Sequence, residues 1–331
     1  MIKAFFASRK WALWAYGGAA LLLFSLYWQV QFTVYINDWY GSFYNILQKP
    51  QEHDISEFWA SIRYFFVLAI PYVFIATVTG YFTRLYAFRW RKAITFDYIP
   101  RWRNVSRDVE GASQRLQEDA ARFAKILESL GLQIARAVMT LIAFLPVLWK
   151  LSEHIQIKEL ETLLRAGHIE GSLVWVVLVA SLGSMVISWV VGGKLPGLEF
   201  NNQVVEAAFR KELVYGEDDK INYASIPELT KLFTGIEFNY HRLFLHYGYF
   251  DVWVNLYDQC LLVVPYIIAA PSLFSDAISL GILVQISNAF GKVHNSFALF
   301  THNWTTITEL RSIHKRLKQF EKNIGPIGQA T

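Results

Sequence analysis

Six apolar runs of about 20 residues each constrain this chain more than any other feature. They lie at roughly 11–32, 58–88, 130–151, 172–193, 249–273 and 278–304. Each is long enough to cross a hydrocarbon core about 30 Å thick as a helix rising ~1.5 Å per residue. Lipid offers no partner to an unpaired backbone amide, so a run of this length has little choice but to be helical. The expected fold is therefore an all-α membrane protein of six transmembrane helices, a single domain over 1–331. Its partner is first of all the lipid bilayer.

The charges orient those runs. The connectors 33–57, 151–171 and 272–277 hold 3 Lys/Arg and 9 Asp/Glu, whereas the segments 1–10, 84–125, 194–242 and 311–322 hold 24 of the 31 Lys/Arg. Basic residues stay on the cytoplasmic side, which puts both termini there. The net charge of +4 needs no nucleic-acid partner, because orientation already accounts for the basic clusters. The single cysteine, Cys260, rules out an intrachain disulfide or a cysteine zinc cluster. Lys3, Arg9 and Lys10 precede a long apolar run without a small-x-small cleavage site, the pattern of an uncleaved signal anchor. A bacterial inner membrane is the expected location.

The inner connectors are long and poor in helix breakers. Between Gly111 and Pro146 only Gly131 interrupts, so 112–145 is expected as one helix reaching well beyond the bilayer. From Ile282 to Asn323 there is one glycine, Gly291, and no proline, so the last helix is expected to continue through Arg311–Lys322. Six spans with long cytoplasmic extensions are like the membrane domain of an ABC exporter. No stretch matches G-x-x-x-x-G-K-[ST], and the fold is expected to lack a nucleotide-binding domain.

Two inner segments are rich in carboxylates. VEGASQRLQEDAARFAKILESLG (109–131) carries Glu110, Glu118 and Glu128, and KLPGLEFNNQVVEAAFRKELVYGEDD (194–219) carries Glu199, Glu206, Glu212 and Glu217. On a helix, spacings of eight and ten residues turn each group by about 80° and raise it ~12–15 Å. Glu206 and Glu217 share a face if the helix survives Gly216. Carboxyl groups filed along a partly dry cavity can relay protons, because desolvation disfavours their charged form. The same spacing also suits solvated surface pairs, Glu118 with Arg122 and Glu206 with Arg210. Glu128 has only Lys125 as a nearby opposite charge.

Polar groups also interrupt the spans. Asp251, Asn255 and Asp258 form one stripe of the fifth. Gln285, Lys292, Ser296 and Asn303 form another in the sixth, with Asn288 nearby. Such stripes face a cavity or a neighbouring helix. Arg63 and Arg136 have stems long enough to snorkel. Neither a metal-ligand spacing such as H-E-x-x-H nor a G-x-S-x-G elbow is present, so neither a metal nor an enzyme is expected.

The two carboxylate blocks resemble the signature segments of the SbmA/BacA family of bacterial inner-membrane peptide transporters. So do NDWYGSFYNILQ (37–48), FRWR (88–91), MTLIAFLPVL (139–148) and NWTTITEL (303–310). The resemblance implies a homodimer with no ATPase subunit. It implies proton-driven import of proline-rich antimicrobial peptides, microcin-like antibiotics and bleomycin-like glycopeptides, with a proton gradient in place of any cofactor. By motif, the family's glutamate ladder falls on Glu118, Glu128, Glu206 and Glu217, with Glu110 and Glu199 in the same blocks. Longer members have extra helices before the NDWY-like segment, where this chain has one span. Two alternatives are an ABC-type permease subunit served by a separate ATPase and an envelope-lipid or assembly factor.

Overall fold

The computed structural model describes residues 1–105, 109, 111–153, 155 and 170–325. Among them the secondary structure is helical. The principal helices are α1 (Ile2–Phe6), α2 (Gly18–Gln48), α3 (Ile55–Arg103), α4 (Ala120–Ser152), α5 (Ser172–Gly192), α6 (Leu195–Asp218), α7 (Ile226–Phe274), α8 (Leu280–His302) and α9 (Trp304–Asn323). A π-helical turn, Arg115–Asp119, leads into α4, and another, Leu13–Gly17, leads into α2.

Five helical stretches are long and apolar enough to cross a membrane: Leu13–Gln48, Ile55–Arg103, Ala112–Ser152, Ser172–Asp218 and Ile226–Phe274. α8 has 23 residues, length enough to span, but Gln285, Asn288, Lys292 and Asn295 dilute its apolar content. α3 runs for 49 residues, about 74 Å at ~1.5 Å per residue, so more than half of it extends past a single bilayer core. The stretch 112–145, expected as one helix, is continuous and runs on through Pro146 to Ser152.

The last helix differs from expectation. It is not one rod from Leu280 but two, α8 and α9, divided at Asn303 (φ −106°, ψ 15°). The Asn303 side chain donates to the Leu299 carbonyl at 2.9 Å and to Gln133 Oε1 of α4 at 3.1 Å. An asparagine that bonds its own preceding turn competes with the helical ladder, and here a tertiary contact reinforces it.

The chain divides into two compact units. One comprises Met1–Val179 with Val264–Thr331, and the other Ala180–Val263. In the first, α2, α3, α4 and α8 pack into a bundle, and α9 lies along the N-terminal part of α4. One end of this bundle is an aromatic core in which Phe5 stacks on Trp90 with ring centroids 5.4 Å apart. Phe5 also meets Tyr86 edge-on, and Phe123 and Phe320 complete the layer. Aromatic pairs in these geometries add stabilisation beyond their buried area. The Tyr86 hydroxyl donates to the Ala15 carbonyl at 3.0 Å, tying α3 to the π-helical turn.

At the opposite end of the bundle, the segment 37–48 has a clear physical role. Gly41 of α2 and Gly281 of α8 let the two backbones touch: a Cβ on Gly281 would collide with the Gly41 carbonyl oxygen. Asn45 Oδ1 then accepts from Gly281 N at 3.0 Å, and Gln48 Oε1 from Leu280 N at 2.8 Å. With Ser279 Oγ accepting from Ile282 N, three orphan amides at the start of α8 are satisfied, two of them by another helix.

In the second unit, Trp253 donates to Ser188 Oγ at 3.1 Å and Tyr257 to the Ala180 carbonyl at 2.5 Å, tying α7 to α5. Leu195, Leu198 and Leu243 form a small core with Tyr247 and Phe250.

Candidate functional site

The carboxylates of the first block have different surroundings. Glu118 is exposed and pairs with Arg122 at 2.8 Å, and Arg122 also reaches Glu309 of α9 at 3.4 Å. That is a solvated i,i+4 pair, with a second carboxylate that the sequence alone did not single out. Glu128 is 8 % exposed, and its Oε1 is buried with no hydrogen-bond partner among the described residues. Its neighbours on α4, Ala124 and Leu127, belong to the aromatic core or pack on it, and Tyr86 is within electrostatic reach. A carboxyl group in such a place has no cation to hold it charged. Glu110 lies outside the described residues.

Between the two sits Asp119, which sequence reasoning passed over. It is 1 % exposed and held by two guanidinium groups. Arg115 Nη1 donates at 2.6 Å, while Arg316 of α9 closes a fork with Nε at 3.1 Å and Nη2 at 2.8 Å. The Asp119 carboxylate in turn pushes the Arg316 guanidinium up from its ordinary value, chiefly through these hydrogen bonds. Arg115 four residues earlier was the available signal; Arg316, 197 residues away, left none.

In the second unit, α6 continues through Gly216, so Glu206 and Glu217 do lie on one face. Glu206 and Glu199 are half-buried and Glu217 is exposed. The Glu206–Arg210 pair does not form among the described residues. Glu212 accepts instead from Ala224 N at 2.9 Å, closing the turn after α6. At the end of that helix, hydrogen bonds from the Asn222 side chain and backbone hold the Asp219 carboxyl below the usual carboxylate range. One turn before Glu206, Asn202 is buried with an unpartnered Oδ1. On α7, Asp251 and Asn255 are exposed and Asp258 is half-buried.

The polar stripe of α8 divides by function. Gln285 turns to Asp38 of α2, Nε2 to Oδ1 at 3.3 Å, beside Gly41. Asn288 is half-buried, with Nδ2 unpartnered. Lys292, Asn295 and Ser296 line a partly open cavity of about 310 Å³ between four helices. α2 supplies Gln29 and Thr33, α3 supplies Tyr72 and α4 supplies Arg136. Arg136 does not merely snorkel: its Nη2 donates to Gln29 Oε1 at 2.7 Å. Gln29, 2 % exposed, is fixed from its other end by Nε2 donating to Thr79 Oγ1 at 3.0 Å. Gln29 and Thr79 are site residues that a lone polar letter in an apolar run could have flagged. Among the described residues, no group of three or more His, Cys, Asp or Glu is arranged to hold a metal ion.

These features define a multi-pass helical membrane protein with buried and half-buried acidic side chains on its long helices and a polar cavity within its first unit. The chain belongs to the SbmA/BacA-like family, whose pattern matches residues 8–325. Among curated relatives it is 27 % identical over 311 residues to the inner membrane ABC transporter ATP-binding protein YddA of Escherichia coli, covering 88 % of this chain and 54 % of that protein. It is 24 % identical over 298 residues to ABC transporter D family member 2, chloroplastic, of Arabidopsis thaliana, covering 84 % and 39 %. An uncharacterised ABC transporter ATP-binding protein of Haemophilus influenzae matches at 23 % over 275 residues, covering 77 % and 44 %. The chain thus spans about half the length of the curated relatives it matches.

Proposed function

We propose that this chain is a proton-coupled importer of peptides and peptide-derived antibiotics in the bacterial inner membrane. It works as a homodimer by alternating access, with α8 as a sixth span and both termini cytoplasmic. Family membership supports the transport class. The observation that carries proton coupling is Glu128: a buried carboxyl group with an unpartnered oxygen, where the aromatic core meets the membrane run. Such a group binds a proton when shut from water and releases it when opened, and this difference in affinity is what lets a pH gradient bias two conformations. Glu206, half-buried and without an ion pair among the described residues, is its counterpart in the second unit.

The test is purified protein in liposomes, a fluorescent proline-rich peptide, an imposed inward proton gradient and no ATP. Peptide should accumulate, and an ionophore that collapses the gradient should stop it. Accumulation that ignores the ionophore removes the proposal. A second reading, a membrane subunit driven by ATP, draws on the relatives' names and on their greater length. Uptake that requires ATP and a nucleotide-binding partner would favour it.

A further inference from the structure

The cavity between α2, α3, α4 and α8 has a charge pattern that the glutamates do not explain. Two cations, Arg136 and Lys292, face it, and no carboxylate lines it. They are close enough for Lys292 to feel the charge of Arg136. Both stay exposed to the cavity in the single chain. Lys292 makes no side-chain hydrogen bond or ion pair among the described residues. Charged side chains at membrane depth are normally paired, and two like charges sharing a carboxylate-free space are the opposite of that arrangement.

The site is also built rather than incidental. Gln29 is fully buried and uses both ends of its amide, one on Thr79 and one on Arg136. That bridge holds Nη2 and leaves the other guanidinium N–H groups with no hydrogen-bond partner among the described residues. A guanidinium held by one edge presents a planar fork, the geometry that suits a carboxylate or phosphate oxygen pair. Lys292 supplies a second point charge, and Asn295 and Tyr72 supply neutral polar groups to the lining. The volume of about 310 Å³ accommodates a chain terminus, not a whole peptide.

We infer that Arg136 and Lys292 form an anion site that receives the C-terminal carboxylate of the transported peptide. This rests on the peptide-import reading and adds to it a polarity of cargo binding. Glu128 lies eight residues earlier on the same helical rod, ~12 Å inward, so the two sites stay distinct.

The experiment compares one fluorescent peptide in two forms, free acid and C-terminal amide, binding to the purified full chain in detergent. The acid should bind at least about tenfold more tightly, as a charge-assisted fork requires. Lys292→Gln and Arg136→Gln should each erase that preference by weakening the acid alone, and Arg136→Lys should keep part of it. Lys292→Gln costs the fold no side-chain hydrogen bond, so it stays informative if an Arg136 variant unfolds. Equal binding of acid and amide, or a preference that survives both glutamine substitutions, overturns the inference.

A second arm uses nanodiscs of phosphatidylcholine with or without phosphatidylglycerol. Anionic lipid retained by the wild type and lost from Arg136→Gln, with no acid preference for peptide, assigns the site to a headgroup and also overturns it. Gradient-driven uptake of both peptide forms separates the two claims. Uptake without acid preference leaves the importer standing and removes the anion site. Acid-selective binding without any uptake does the reverse.

Discussion

Asp119 and Glu128 are nine residues apart on one helical rod, both buried, and they live under opposite conditions. Asp119 is gripped by Arg115 and by the fork of Arg316. Glu128 has an oxygen with no hydrogen-bond partner among the described residues. Burial alone therefore says little about what a carboxyl group does. A carboxylate between two guanidinium groups is locked in its charged form and fastens α9 to α4. One against aromatic rings is free to trade its proton, at a standing cost to stability.

Four substitutions probe that contrast. Asp119→Ala strands two guanidinium groups and should cost about 3 kcal/mol, less than a wholly dry pair because Arg316 is partly exposed. Denaturant unfolding of the purified protein measures it; a loss below about 1 kcal/mol would equate the two sites. Glu128→Gln should come next, with gradient-driven uptake falling about 100-fold, equivalent to ~2.7 kcal/mol of barrier. Its unfolding free energy should stay at or above the wild type, because a neutral amide suits a dry site better than a carboxylate. Uptake at wild-type rate would leave the unpartnered oxygen without a purpose. Arg316→Lys keeps the charge and loses the fork, so about 1 kcal/mol of stability should go, with uptake little changed. Glu118→Gln should change stability by less than about 0.5 kcal/mol, since its partner Arg122 is as exposed as itself. A large effect there would mean that exposure in the single chain misrepresents its surroundings.

Much of this was legible in the residues, and what was not follows a pattern. The long continuous helices could be read from where glycine and proline are missing. The Glu118–Arg122 pair and the isolation of Glu128 could be read from i,i+4 spacing. Asp119 could not, because its decisive partner is 197 residues away and the letters QED look equally solvated. Nor could the break at Asn303, where a helix-compatible stretch is overruled by an asparagine that finds Gln133 on another helix. The segment 37–48 was recognisable as a signature, but its reason became visible only once Gly41, Asn45 and Gln48 met the start of α8. Arg136 read as a snorkelling side chain until Gln29 showed where its head is held.

The way α2 receives the start of α8 limits how this protein can move. Sliding the two helices apart would break the bonds by which Asn45 and Gln48 satisfy two amides at the start of α8 and would open the backbone contact between Gly41 and Gly281. The pair should therefore travel as one lever through a transport cycle, with the bend at Asn303 taking up the strain. Cysteines placed at 48 and 280 and oxidised to a bridge should leave the turnover rate untouched, and a stalled cycle would show instead that this joint opens.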